Sequence, residues 1–172
     1  MNEATSEQDS RGSALPWLWL SVFIAAADQA AKAFIVLNFE LYERVQLLPM
    51  FGITRLHNPG AAFSFLASAG GWQRWFFITI AVVVTLLVCV WLRRLPRRGQ
   101  GWLAASLALI VGGAVGNVLD RVFRGYVVDF LSLHWEGWFF PAFNVADAAI
   151  TVGAVILLAE SFFDGRRKKK II

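Results

Sequence analysis

The sequence predicts a mostly α, polytopic membrane protein with four transmembrane helices and both termini cytoplasmic, and three observations predict it. Of the 172 residues, 58% are hydrophobic and only 16% charged, well below the roughly 25% charged residues of soluble domains. The mean hydropathy is +0.57. Four stretches supply the about 20 mostly apolar residues that a helix needs to cross a ~30 Å hydrocarbon layer, where the backbone must satisfy itself internally. The length suits one compact domain, so residues 1–172 are expected to form a single membrane-embedded unit.

Residues 1–13, which open "MNEATSEQDSRG", are polar and are expected to be disordered. The first span covers about 15–37. Its "FIAAADQA" has the small residues of a cleavable signal peptide. The segment nevertheless continues in helical character through "AAKAFIVL", which favours an uncleaved helix. The second span covers about 72–92, the third about 102–119 and the fourth about 142–163. Arg93, Arg94, Arg97 and Arg98 follow the second span, and Arg166, Arg167, Lys168, Lys169 and Lys170 fill the tail at 165–172. Both clusters fall on the cytoplasmic side by the positive-inside rule, which requires an even number of spans and leaves 38–71 and 120–141 outside.

The same distribution excludes other classes. The net charge of +4 comes from helix ends, so it predicts no nucleic-acid partner. The single cysteine, Cys89, lies in an apolar run, which excludes an intrachain disulfide and speaks against thiol catalysis. Two histidines without metal-ligand spacing predict no metal. No cofactor is implied, and no pattern demands an oligomer, so a monomer is expected.

Ionisable groups inside spans mark function, pairing or both. Asp28 and Lys32 lie four apart on one face of the first helix, acid before base, the favourable order for an ion pair. Asp120 and Arg121 close the third span, and Asp129 follows in "GYVVDFLSL", a short β-like run. Asp147 is expected about five residues into the fourth span, roughly 7.5 Å deep at 1.5 Å per residue. These groups and Asn117 converge at the outer boundary. Asp147 has a purely structural alternative: Asn144 and Asp147 have the spacing of a capping box, and an acid suits a helix N-terminus.

Other signals are weaker alone. "HNPGAAF", His57 to Phe63, is a turn in which Asn58 could bond a peptide. "GGAVGN" places Gly113, Gly116 and Asn117 where helices approach closely, and Asn117 shares a face with Arg121. Trp135, Trp138, Phe139 and Phe140 suit an interfacial aromatic belt.

Two facing carboxylates fit peptide hydrolysis best, because like charges held close share one proton. The ionised acid then activates water while the protonated one polarises the carbonyl. A Ser–Lys pair of Lys32 with Ser64 or Ser132 is a second option, disfavoured by Asp28 beside Lys32. A lipid hydrolase is a third. A small transporter or assembly subunit whose charges only hold helices together is the non-enzymatic alternative.

In chain order, "Asp28-Gln29…Lys32", "Asn58-Pro-Gly-Ala-Ala-Phe63", "Gly112-Gly-Ala-Val-Gly-Asn117-Val-Leu-Asp120-Arg121", "Val128-Asp129-Phe130" and "Phe143-Asn144-Val-Ala-Asp147" together resemble the lipoprotein signal peptidase (signal peptidase II) family of bacterial inner membranes. The resemblance covers about residues 15–163. It implies an aspartic endopeptidase that removes the signal peptide of diacylglyceryl-modified prolipoproteins, cutting before the lipidated cysteine, without a metal. It also implies inhibition by the cyclic peptide globomycin and contact with membrane lipids. The catalytic aspartates of the family match Asp129 and Asp147. Its supporting and substrate-contacting residues match Asp28, Lys32, Asn58, Gly60, Gly113, Asn117, Arg121, Asn144 and Ala149. A small outer β-rich cradle at about 39–55 and an outer helix over the site are further implications.

Overall fold

The computed structural model describes residues 12–60 and 70–169, with side chains through 163. The expected disorder of the first eleven residues, Ala61–Phe63 of the turn motif, Ser64 and the side chains of the basic tail lie outside the described residues.

Four helices carry the fold: α1 (Leu18–Asn38), α2 (Trp72–Arg94), α3 (Gly101–Phe123) and α4 (Val145–Lys169). Each contains a segment long and apolar enough to cross a membrane. Their outward faces are large and apolar, as with Phe23, Leu87 and Leu158, which suits a lipid surround. Lipid supplies no hydrophobic drive between helices, so close backbone approach must hold them together. Helix α3 provides it and packs on the other three. A methyl group at Gly112 would sit 2.8 Å from the Ser21 carbonyl oxygen of α1, and one at Gly113 would collide with the Ala146 carbonyl of α4. One at Gly153 would meet the Ser106 carbonyl oxygen at 2.7 Å. Glycine at these three positions sets the helix separations.

The segments that join α1 to α2 and α3 to α4 form one antiparallel sheet, β1 (Arg44–Leu48), β2 (Phe51–Asn58), β3 (Val127–Trp135) and β4 (Trp138–Phe139), in that order. Glu136 and Gly137, both with positive φ, make the two-residue turn between β3 and β4, as type I′ hairpin geometry requires. Arg55 Nη1 donates to the carbonyls of Val36 (3.2 Å) and Phe39 (2.8 Å). It thereby satisfies orphan acceptors at the end of α1 and fastens the sheet to that helix. Beneath the sheet, Ile35, Val128 and Phe130 form a small buried core.

The expected cradle at 39–55 is therefore half of a larger sheet whose third strand carries Asp129. The described parts of these two connecting segments contain strands and turns but no helix, and residues 61–69, where the expected helix over the site could fall, lie outside the described residues. Two boundaries differ from expectation. Helix α3 runs on to Phe123, so Asp120 and Arg121 lie within its last turns. It ends where Gly125 adopts φ 86° and the amides of Arg124 and Gly125 both reach the Asp120 carbonyl, a glycine-stopped C-terminus. Helix α4 starts at Val145 rather than near 142, so Asp147 is its third residue and not its fifth. The cause is Asn144, which caps it.

Candidate active site

The site grows from the start of α4. Asn144 Oδ1 accepts the Asp147 amide at 2.9 Å, and Asp147 Oδ2 accepts the Asn144 amide at 3.2 Å. This is the reciprocal capping box. The capping role does not exhaust Asp147, because its Oδ1 accepts Asn117 Nδ2 from α3 at 2.8 Å. One residue thus serves the helix and faces the site.

Asp129 arrives from β3. Antiparallel pairing sets Leu56 opposite Asp129. Two residues along β2, Asn58 lies on the same face as a diagonal neighbour. Asn58 Nδ2 donates to Asp129 Oδ2 at 2.9 Å, and Asn144 Nδ2 donates to Asp129 Oδ1 at 2.7 Å. Asn144 consequently touches both acids, through its side chain and its backbone.

Three asparagines present N–H to the acids, and each is oriented by a donor on its oxygen. Asn58 Oδ1 accepts the Gly60 amide at 2.9 Å, Asn144 Oδ1 accepts the Asp147 amide, and Asn117 Oδ1 accepts Lys32 Nζ at 3.0 Å. A flipped amide would oppose donor to donor, so none can turn without losing two bonds.

Behind Asn117 lies a buried, charge-balanced network. Lys32 Nζ reaches Asp28 Oδ2 at 2.8 Å and Asp120 Oδ2 at 3.1 Å, all three groups fully buried. With Asn117 as third acceptor, the ammonium has no N–H left for a serine. Ser132 for its part donates to the Gly52 carbonyl at 3.0 Å. This geometry argues against a Ser132–Lys32 pair. Asp28 Oδ1 accepts the Ala146 amide of α4 at 2.9 Å, in a space that a side chain at Gly116 would fill. Asp120 also pairs with Arg124 and accepts Gln29 Nε2 (3.1 Å) and the Val128 amide (3.0 Å). Sequence reasoning placed Asp120 among the polar groups that converge on the site without assigning it partners, and gave no role to Gln29 or Arg124. The four-residue spacing of Asp120 and Arg124 is the same signal that marks Asp28 and Lys32.

Asp129 and Asp147 line one cavity of about 570 Å³ together with Asn58, Asn117 and Arg121. Its other walls are largely apolar, including Leu133, Phe140, Phe143 and Ile150. Thr151 and Val152 also border it and are exposed on the face of α4 turned away from the other helices, which suits an opening on the lipid side. Arg121 donates to the carbonyls of Asn117 (3.2 Å) and Gly60 (2.8 Å) and lies over Phe77. It ties the Asn58–Gly60 turn to α3 and α2. Gly113 and Ala149 are buried in helix packing and do not line the cavity. Burial and, next, the charge of Asp147 push the Asp129 carboxyl up to about 6, against the downward pull of the Asn58 and Asn144 hydrogen bonds and Lys32. Among the described residues no group of three or more His, Cys, Asp or Glu is placed to hold a metal ion.

Four helices of spanning length, and a largely apolar cavity between the sheet, α3 and α4 that holds two acids, define a polytopic membrane enzyme. Solved structures of bacterial membrane enzymes share the fold. One superposes with a TM-score of 0.77 at 27% identity, covering 89% of this chain and 91% of that one, and a second with 0.70 at 26%. The family model for signal peptidase (SPase) II matches residues 20–163. A lipoprotein signal peptidase of Pseudomonas paraeruginosa is 52% identical over 150 residues, 86% of this chain and 88% of that protein. One of Shewanella halifaxensis is 48% identical over 161 residues, 93% of this chain and 94% of that protein. The chain belongs to the signal peptidase II family, a family of aspartic peptidases.

Proposed function

We propose that this chain removes the signal peptide from diacylglyceryl-modified bacterial prolipoproteins, cutting before the lipidated cysteine, with Asp129 and Asp147 as the catalytic pair. The observation that carries this reading is the placement of both acids in one lipid-open cavity, each held by two neutral N–H donors. The nearest ammonium, Lys32, reaches Asp147 only through the Asn117 amide. A direct ion pair would fix Asp147 as a permanent anion, whereas amide donors align a carboxylate and leave it able to share a proton.

In the mechanism, the ionised acid takes a proton from a water between the pair, and that water's oxygen bonds to the scissile carbonyl carbon. The protonated acid gives its proton to the carbonyl oxygen. The resulting tetrahedral diol collapses: the C–N bond breaks, the departing amine of the lipidated cysteine takes up the proton gained from water, and a diol hydroxyl returns its proton to the acid that had given one. The apolar walls lower the local dielectric and strengthen each of these electrostatic steps. A substrate held by two acyl chains and an apolar helix reaches such a site by moving laterally in the bilayer. This reading places the enzyme in the cytoplasmic membrane, as a monomer, with its site toward the outer side and open to globomycin.

The test is cleavage of purified prolipoprotein, diacylated and undiacylated, by the wild type and by Asp129→Asn and Asp147→Asn. Cleavage of the diacylated form alone, blocked by globomycin and lost in both variants, is expected. Processing by either variant at the wild-type rate overturns the assignment of the pair.

A further inference from the structure

Asp28 and Asp120 stand behind the acid pair in the same way. Asp28 Oδ1 accepts the amide of Ala146, the residue before Asp147, at 2.9 Å. Asp120 Oδ2 accepts the amide of Val128, the residue before Asp129, at 3.0 Å. Each buried acid holds the backbone one residue from a catalytic acid. The distance between Asp28 and Asp120 is therefore passed on to Asp129 and Asp147.

Two side chains bridge that distance. Lys32 does so as a cation, bonded to Asp28 Oδ2 and Asp120 Oδ2. Gln29 does so as a neutral amide. Its Nε2 lies 3.1 Å from Asp120 Oδ1, 3.1 Å from the Gly116 carbonyl oxygen of α3 and 3.3 Å from Asp28 Oδ2. Its Oε1 accepts Arg124 Nη1 at 3.1 Å, so the amide cannot turn over without setting donor against donor. Because Gln29 is neutral, the charges of Asp28, Asp120, Lys32 and Arg124 cancel among themselves.

We propose that Gln29 is a positioning residue that sets the gap between Asp129 and Asp147, and with it how tightly the two acids share a proton. The inference rests on those acids being the catalytic pair. Two carboxylates held close titrate further apart than two held loosely, so the width of the bell-shaped pH profile reports the gap. A residue that only stabilises the fold changes the amount of active enzyme and leaves that width alone. The other charged or titratable groups around the pair are Asp28 and Lys32 from α1, Asp120, Arg121 and Arg124 from α3, and Arg55 and His57 from β2. All of them are retained in the variants compared.

The full chain is reconstituted in nanodiscs, and kcat and KM on a diacylated prolipoprotein are measured across pH 4–9 for the wild type, Gln29→Met and Ser21→Ala. The last removes a 2.7 Å bond from Ser21 to the Ala108 carbonyl, which joins α1 to α3 about two helical turns before Asp28. Gln29→Met is expected to lower kcat by about ten-fold at unchanged KM and to bring the two limbs of the profile closer by about half a pH unit. Ser21→Ala is expected to lower the melting temperature and keep the width. Gln29→Asn, with the amide on a shorter stem, gives the same comparison where the methionine variant does not fold. An unchanged width in the Gln29 variants overturns the proposal, as does equal narrowing in Ser21→Ala. Wild-type cleavage by Asp129→Asn or Asp147→Asn removes the catalytic pair itself, whereas two inactive aspartate variants beside an unchanged width remove only the role of Gln29.

Discussion

Lys32 Nζ lies 3.0 Å from Asn117 Oδ1, and the other end of that amide lies 2.8 Å from Asp147. The ammonium therefore orients the donor that faces the acid without neutralising the acid itself. Asn117→Ala removes the relay. The expected outcome is a fall in kcat of about 10²-fold from misalignment, with KM little changed. Steady-state kinetics on a diacylated prolipoprotein check it, and a rise in KM alone would contradict it.

The ammonium also has a structural task. Lys32→Met leaves Asp28 and Asp120 buried together without their shared cation, a loss of about 3–5 kcal/mol. Thermal unfolding in detergent is expected to show a large drop. Replacing Asp28 and Lys32 together by apolar residues is expected to lose less than the two single changes summed.

Asp120 bonds the amide of Val128, one residue before Asp129, and the ammonium that orients Asn117 toward Asp147. It anchors both halves of the pair. Asp120→Ala is expected to lower kcat by at least 10²-fold, because strand β3 loses its attachment to α3. Asp120→Asn, which keeps an acceptor for Val128, is expected to retain more activity. Equal rates for the two variants would show that the backbone bond has no role.

The Asp129 carboxyl, raised to about 6 from 3.8, makes a pH prediction. Between these values the folded state holds a proton that the unfolded state has lost, so this group's contribution to stability falls as pH rises through the window. Asp129→Asn is expected to unfold at a higher temperature than the wild type at pH 8. The gain is of order 1 kcal/mol, since asparagine accepts one fewer amide, and vanishes below about pH 4. Melting curves across pH 4–8 decide it. Activity is expected to follow a bell-shaped pH profile whose limbs belong to the pair jointly.

Gly113 tests the helix spacing. Gly113→Ala forces a methyl group into the Ala146 carbonyl, one residue before Asp147. It is expected to cost about 1–3 kcal/mol of stability and to reduce cleavage disproportionately, which paired melting and activity measurements would reveal.

Much of this was legible from residues alone because it is local. Hydropathy over twenty consecutive positions gave four spans, while the Asn144–Asp147 spacing gave a cap and the Asp28–Lys32 spacing an ion pair, each of these two within about one helical turn. The depth of Asp147 was misjudged by two residues, since composition does not mark where a capping side chain starts a helix. The structural and functional readings of Asp147 were set against each other, yet its two oxygens serve both. Gln29, and the bonds of Asp120 to Lys32 and Val128, became visible only through partners from other segments.

The sequence by itself determined which segments enter lipid and which polar residues lie near one boundary, because helical rise and transfer energy depend only on neighbours along the chain. The tertiary structure decided that Asn58 and Asn144 meet at Asp129, 71 and 15 positions away, and that Asp120 joins α1 to β3. Such meetings depend on which faces pack and how closely, and here glycines 112, 113 and 153 set that closeness by letting backbones touch where any side chain would hold them apart.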